Sequence, residues 1–240
     1  MQAMILAAGL GTRLKPITDD IPKALVEVNG KTLLEIAIRN LIENDFRRII
    51  INVHHFADKV KEFISNNTFA ADIYISDESD LLLDTGGGIK NAKKFFDDSP
   101  ILIHNVDIIC DLDIKEFYQY HLSDDSIASL VVSNRKSNRY LLFNNDNILC
   151  GWQDVKKDEK IIVREELKLN QLAFSGIHIL NPQLIKEFPK EKVFSIIKAY
   201  LQIAEKEEIH AYVSDDMKWI DVGKIDSLQQ AEVLIKSIKL

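Results

Sequence analysis

The chain predicts an α/β fold in three layers, a mixed but mainly parallel sheet with helices on both faces. Two observations carry that expectation. Apolar strand-like runs alternate with helix-period segments through the first half of the sequence, the order that βαβ crossovers impose. Three polar segments, starting at Gly9, at His54 and at Asn105-Val106-Asp107, each follow directly on an apolar run. Open parallel sheets place their ligands at such strand ends.

Residues 3–8 read as a strand and 33–44 as a helix, with Leu34, Ala37, Ile38, Leu41 and Ile42 on one stripe. Residues 49–53 form the next strand. Segment 57–66 is a helix packing Val60, Phe63 and Ile64, and 73–75 is a short strand. A short helix at 88–96, a strand at 101–105, a helix at 114–121 and a strand at 127–132 complete the regular half.

The second half is less regular. Runs 140–143 and 148–151 flank Asn144-Asn145-Asp146-Asn147, a hairpin turn. The highly charged segment 156–169 reads as a surface excursion or flap. Strand 173–180, helix 193–206 and strands 209–213 and 218–222 follow. A closing helix at 225–238 turns Ala231, Leu234, Ile235 and Ile238 inward. No linker or internal repeat interrupts the chain, so the expectation is one domain over 1–240 with a substrate lobe inserted at 134–170.

Composition narrows the partners. The 240 residues are 46% hydrophobic and 28% charged, ordinary for a globular protein, and carry a net charge of −7. No Lys/Arg block appears, which argues against a nucleic acid partner. Cys110 and Cys150 have no metal-ligand spacing and cannot build a disulfide framework, so a reducing cytoplasm is expected. The strand pattern begins almost at Met1, leaving no room for a signal peptide, and no apolar run of about 18 residues offers a membrane span. Oligomeric state is not readable.

The most informative segment is Gly9-Leu10-Gly11-Thr12-Arg13, continuing through Pro16 and Pro22 to Lys23. A Gly-rich turn after a buried strand presents backbone N–H groups to a phosphate, and an Arg and a Lys in the same loop suit a polyphosphate. A dinucleotide fingerprint would need a third glycine where Leu14 stands, and the prolines prevent the helix it requires. An NAD-linked oxidoreductase is therefore disfavoured, and no G-x-x-x-x-G-K-[ST] loop is present. Asp107, just past an apolar strand, is placed to hold a hard divalent ion. Asp111 and Asp113 read as caps of the following helix. His54 and His55 read as hydrogen-bonded strand-end residues, and no set of residues for covalent catalysis is evident.

The unbroken spacing G-x-G-T-R-x-x-P-x-T-x-x-x-P-K, Gly9 to Lys23, resembles that of the sugar-1-phosphate nucleotidylyltransferases. The resemblance implies a three-layer Rossmann-like fold with a small inserted sugar-binding lobe. It implies a Mg²⁺-dependent transfer from a nucleoside triphosphate to a sugar 1-phosphate, releasing pyrophosphate. Ala8, Gly9, Gly11, Thr12 and Arg13 would hold the triphosphate, and Lys23 would touch the phosphates at the reacting centre. Leu83-Asp84-Thr85-Gly86-Gly87-Gly88 resembles the segment that packs on the nucleobase, implicating Thr85, Gly86 and Gly87. Its L-x-T-G-G-G form is similar to that of bacterial uridylyltransferases acting on N-acetylmuramate 1-phosphate, and of heptose-1-phosphate enzymes.

Trp219-Ile220-Asp221-Val222-Gly223 resembles the family's W-x-D-[IV]-G segment, in which the Asp joins Asp107 on the same Mg²⁺; Lys224 stands where Thr is usual, and Val106 where Gly is. Phe174-Ser175-Gly176-Ile177 is similar to the strand along the sugar, so Gly176, with Asn138, is expected there. Arg13, Lys23, Asp107 and Asp221 thus form the expected catalytic set. UTP with an N-acetylmuramate-type sugar is the first expectation. A GTP-dependent mannose or heptose enzyme and an inactive sugar-nucleotide-binding regulator are the alternatives.

Overall fold

The computed structural model describes residues 1–238. The first strand, β1 (Gln2–Leu6), is buried throughout. Its side chains alternate between two cores: Ala3 and Ile5 join one, Met4 and Leu6 the other. A strand covered on both faces needs apolar residues at every position, which explains the continuous run. A short hairpin, β2 (Glu27–Val28) and β3 (Lys31–Thr32), follows the long first loop. It was not anticipated, although Asn29 and Gly30, at φ 53° and 74°, supply the positive angles that a tight hairpin turn demands.

Helix α1 (Leu33–Glu43) starts where the Thr32 hydroxyl accepts from the Glu35 N–H. Then come β4 (Arg48–Val53), α2 (Ala57–Ser65), β5 (Asp72–Asp77) and α3 (Asp84–Asn91). Strand β6 (Ile101–Asn105) matches its sequence expectation, and β7 (Ile108–Cys110) is new. Helix α4 (Ile114–Ser123) is capped by Asp113, as expected; Asp111 instead accepts from the Lys218 N–H. The remaining elements are β8 (Ala128–Ser133), β9 (Arg139–Phe143), β10 (Leu149–Asp154), β11 (Glu159–Ile162), β12 (Asn170–Leu180), α5 (Ile196–Ala204), β13 (Ile209–Val213), β14 (Trp219–Asp221) and α6 (Ile225–Ser237).

The main sheet has 10 strands, ordered β11-β10-β9-β12-β6-β1-β4-β5, with β8 also pairing β12 and β13 pairing β8. Strands β5, β4, β1 and β6 are parallel; β12 runs against both β6 and β8, and β13 is parallel to β8. Helices α1, α2, α4 and α6 cover one face, and α3 and α5 the other. The expected three-layer, mainly parallel α/β fold is therefore present.

The charged 156–169 segment lies mostly exposed, and within it Glu159–Ile162 pairs antiparallel with β10, extending a small sheet off the amino-terminal half of β12. One expectation needs correction. The helix expected at 193–206 starts only at Ile196, because the Ser195 hydroxyl caps it and residues 192–194 run along α3 instead. No helix among the described residues is long and apolar enough to cross a membrane.

Candidate active site

The carboxyl ends of β1, β4 and β6 open onto the same side of the sheet, and the first loop folds across them. Gly11, at φ 65°, makes its turn; an added Cβ would lie 3.0 Å from Thr18 Cγ2 and 3.1 Å from Lys23 Cβ. The Gly11 carbonyl accepts from the Leu14 N–H at 2.9 Å and the Thr18 hydroxyl at 2.8 Å. These bonds curl the loop so that Lys23 returns to the end of β6, where its Nζ donates to Asp107 Oδ2.

Asp221 reaches the same point by backbone pairing. The β7/β14 ribbon sets Asp221 opposite Ile108, and the Val222 N–H donates to the Asp107 carbonyl at 2.8 Å. Arg13 Nη2 lies 3.8 Å from Asp221 Oδ2. Gly223 leaves room for this contact: a Cβ there would fall 2.6 Å from both Arg13 Nη2 and Asp221 Oδ1. Burial, then the neighbouring Asp107 charge, push the Asp221 carboxyl above its ordinary range, against the pull of Lys23 and Arg13. Asp221 Oδ1 is buried and has no hydrogen-bond partner.

Two carboxylates converging with an unsatisfied buried oxygen fit a hard divalent ion. No group of three or more His, Cys, Asp or Glu residues able to hold a metal occurs among the described residues. Two carboxylates accord with Mg²⁺, which keeps several waters and takes its remaining oxygens from substrate phosphates.

Two cavities share Asn105 and Asp107. The smaller, about 430 Å³, is lined by Ala8, Gly9, Lys23, Asn52, Thr85 and Val193 among others. The larger, about 1130 Å³, takes in Arg13, Asn138, Gly176 and Asp221. Gly176, at φ 78°, sits where the β12/β8 register breaks, and a Cβ there would lie 2.7 Å from Asn105 Nδ2. The structure thus brings together Arg13, Lys23, Asp107 and Asp221, with Ala8, Gly9 and Thr85 on one side and Gly176 and Asn138 on the other. Gly11 and Thr12 line neither cavity.

Gly86 and Gly87 are placed differently from the expectation. Helix α3 begins at Asp84 rather than at Gly88, so both lie in its first turn. Their N–H groups donate to the Phe194 carbonyl at 3.0 and 3.1 Å. A Cβ on Gly86 would meet the Phe194 ring at 2.5 Å, and one on Gly87 the Lys192 carbonyl at 2.2 Å. These glycines pack α3 against residues 192–196 and line neither of the two cavities. Thr85 is tied to the same segment, its hydroxyl accepting from the Ile196 N–H at 2.8 Å.

Several residues at the site were not singled out from sequence. Asn52 accepts from the Ala7 N–H at 2.7 Å and donates to Glu78 Oε1 at 2.8 Å, bracing the start of the first loop. Its signal was a lone amide in the run Ile49-Ile50-Ile51-Asn52-Val53. Glu78 is buried, and burial raises its carboxyl's pKa against the hydrogen bonds from Asn52 and Leu83. Arg135 stacks on Trp219, with Cζ 4.0 Å from the ring centroid. Nothing local in the sequence marks that contact.

A family model described as Nucleotidyl transferase matches residues 2–237. The N-acetylmuramate alpha-1-phosphate uridylyltransferase of Caulobacter vibrioides is 30% identical over 238 residues, 96% of this chain and 95% of that one. The D-glycero-alpha-D-manno-heptose 1-phosphate guanylyltransferase of Campylobacter jejuni is 29% identical over 225 residues, 93% and 95% of the two chains. The crystal structure of HddC from Yersinia pseudotuberculosis complexed with GMP-PN superposes with a TM-score of 0.76 at 27% identity, covering 97% of this chain and 98% of that one. On its residue pattern, its fold and these likenesses together, the chain belongs to the nucleotidyl transferase family, among the sugar-1-phosphate nucleotidylyltransferases.

Proposed function

We propose that this chain transfers a uridylyl group from UTP to an N-acetylmuramate-type sugar 1-phosphate, giving the UDP-sugar and pyrophosphate. The observation that carries the chemistry is the Asp107–Asp221 pair, held beside Lys23 and Arg13 where the two cavities share Asp107. A sugar phosphate oxygen forms the new bond to the α-phosphorus as the bond to pyrophosphate breaks. The attacking monoester has a second pKa of about 6, so it is mostly dianionic at neutral pH and needs no general base. The difficulty is like-charge repulsion, which preorganised cations relieve.

In this reading the smaller cavity takes the nucleotide against Ala8 and Gly9, with Lys23 at the reacting phosphate and Arg13, which lines the larger cavity beside Asp221, reaching the triphosphate where the two cavities share Asp107. Asp107 and Asp221 would hold Mg²⁺, which supplies charge neutralisation and orientation at the α-phosphate. Residues 134–170, within a single catalytic domain, form the lobe that selects the sugar. The larger cavity is also lined by Lys136, Arg139, Lys156 and Lys157. So cationic a wall, in a chain of net charge −7, favours an acidic sugar over neutral heptose or mannose. Cys110 and Cys150 are free and buried, in accord with a reducing compartment such as the cytoplasm.

The test is pyrophosphate release with the common ribonucleoside triphosphates against N-acetylmuramate, N-acetylglucosamine, mannose and heptose 1-phosphates, with Mg²⁺ or with EDTA. UTP with N-acetylmuramate 1-phosphate should give the highest kcat/KM, and EDTA should abolish turnover. Highest kcat/KM with GTP and heptose 1-phosphate would replace the substrate assignment. Asp107→Ala and Lys23→Ala should each lower kcat by roughly two to three orders of magnitude with unchanged circular dichroism. Near-normal pyrophosphate release by both variants would overturn the assignment of roles.

A further inference from the structure

Among the described residues, three buried side-chain polar atoms lack a hydrogen-bond partner: Arg135 Nε, Ser175 Oγ and Asp221 Oδ1. All three belong to residues lining the larger cavity. Buried polar groups are normally paired because an unmade hydrogen bond is costly. Orphans gathered at one cavity therefore mark a place where a ligand completes the pairing. Asp221 Oδ1 is accounted for by a cation. Arg135 Nε can only donate, and the Ser175 hydroxyl can donate as well, so these two call for an acceptor.

Arg135 is held in one pose. Its guanidinium lies over the Trp219 ring, and its Nη2 donates to the Phe174 carbonyl. Trp219 is fixed in turn, its indole N–H donating to the Ser175 carbonyl at 2.8 Å. Such stacking orients a planar guanidinium and leaves its remaining N–H groups directional, which a lysine could not reproduce. Trp219 is two residues from Asp221 on the same strand, β14, so the clamped cation stands close to the carboxylate pair. It lines only the cavity that excludes Ala8, Gly9 and Lys23.

We propose that Arg135, clamped by Trp219 and the Phe174 carbonyl, is the anion-binding residue for the phosphate of the sugar 1-phosphate, with the Ser175 hydroxyl as a second donor. This rests on the nucleotidylyltransferase reading and adds the grip on the attacking group. Arg13 and Lys23 already face Asp221 and Asp107, and in that reading they serve the triphosphate. The incoming dianion needs a further cation, and Arg135, in the larger cavity with Arg13 and Asp221 but not in the smaller one with Lys23, supplies it.

The test compares wild type with Arg135→Met and Arg135→Lys, varying both substrates. Losing a charge-assisted hydrogen bond of about 1.5–3 kcal/mol corresponds to roughly a 10- to 150-fold change. Arg135→Met should raise KM for the sugar 1-phosphate by that factor while KM for the nucleotide stays within about twofold. Arg135→Lys should recover part of the loss, since charge returns without the fork. A rise of both KM values together with a lower melting temperature, or no change in either, overturns the proposal. Calorimetric titration of wild type and Arg135→Met with glucose 1-phosphate alone separates this from failure of the overall reaction. Weaker binding by the variant supports the assignment even if no nucleotide is turned over; equal binding by both, or none by either, defeats it.

Discussion

At the scale of single residues, the site places charges where folding alone would not. Asp221 sits partly buried beside Asp107, one oxygen without a partner, and its charged form is disfavoured by both burial and repulsion. Arg13 and Lys23 offset this only in part. Replacing the carboxylate by an amide of nearly the same shape removes the repulsion and leaves a group that can hydrogen-bond. Asp221→Asn should therefore raise the melting temperature while depressing kcat, a trade typical of catalytic residues. For a chain of this length, a gain of about 0.5 kcal/mol would read as roughly 1–2 °C by calorimetry. A fall in melting temperature would show that Asp221 stabilises the fold through its cations instead.

The same scale explains what the sequence could show. Arg13 and Lys23 were legible because both sit within one unbroken spacing, and Asp107 because it follows a buried strand. Asp221 needed the resemblance, since its partner lies on another part of the chain. Arg135 carried no local signal. Its role depends on Trp219 and Phe174, which folding brings to it from two other segments.

Among elements, α3 shows a packing reason for glycine that the sequence did not display. Its glycines permit a close approach to residues 192–196 of the same chain. On Gly87 a Cβ would lie 2.2 Å from the Lys192 carbonyl, a backbone atom that cannot rotate away. Gly87→Ala gains about 1 kcal/mol of helix propensity, yet overpacking commonly costs about 1–3 kcal/mol, and at this distance the clash wins. The variant should melt several degrees lower. It should also bind nucleotide more weakly, because Thr85 and Val193 line the smaller cavity from the two elements being pushed apart. Gly9→Ala is the control, since no atom lies within 4 Å of the added carbon; its stability should stay within about 0.5 kcal/mol of wild type. Equal melting temperatures for both variants would refute the packing account. Strand β14 falls within the expected 218–222 run, but its partner β7 and their pairing left no signal: a three-residue strand paired across a long stretch of chain shows no periodicity.

For the molecule as a whole, the order of strands and helices was legible because a parallel sheet demands long apolar runs separated by amphipathic helices. The second half was less so, because short antiparallel strands at its lobe alternate weakly. The main sheet also sets how the protein responds to acid. His104 on β6 and His178 on β12 belong to adjacent antiparallel strands, paired with Ile177 and Ile103 respectively, and so point to opposite faces. Burial pushes the His104 imidazole down to about 4, against a hydrogen bond to the Asn105 carbonyl, and the His178 imidazole down to about 3. Against His178 stand the Tyr200 hydroxyl at 2.5 Å from Nδ1 and the Phe174 ring, neither of them charged at neutral pH.

Both groups bind protons less well folded than unfolded, where the reference value is 6.5. Their neutral packing is fully favourable above that value, and stability falls as pH drops below it. Each pH unit costs about 1.4 kcal/mol per imidazole, so moving from pH 7.5 to 5 removes roughly 4 kcal/mol from the pair. That is a large share of the roughly 5–15 kcal/mol typical of a folded domain. Asp77, held down to about 2 first by its Lys61 hydrogen bond, does not contribute in this window, because its loss begins only below the carboxylate range. Urea titrations at pH 7.5, 6 and 5 should show the midpoint falling at an unchanged m-value. His178→Gln, which keeps a partner for the Tyr200 hydroxyl, should reduce the slope by about 1.4 kcal/mol per pH unit below 6.5. An unaltered slope in that variant would mean that His178 takes up a proton while folded, and that the sheet centre admits charge.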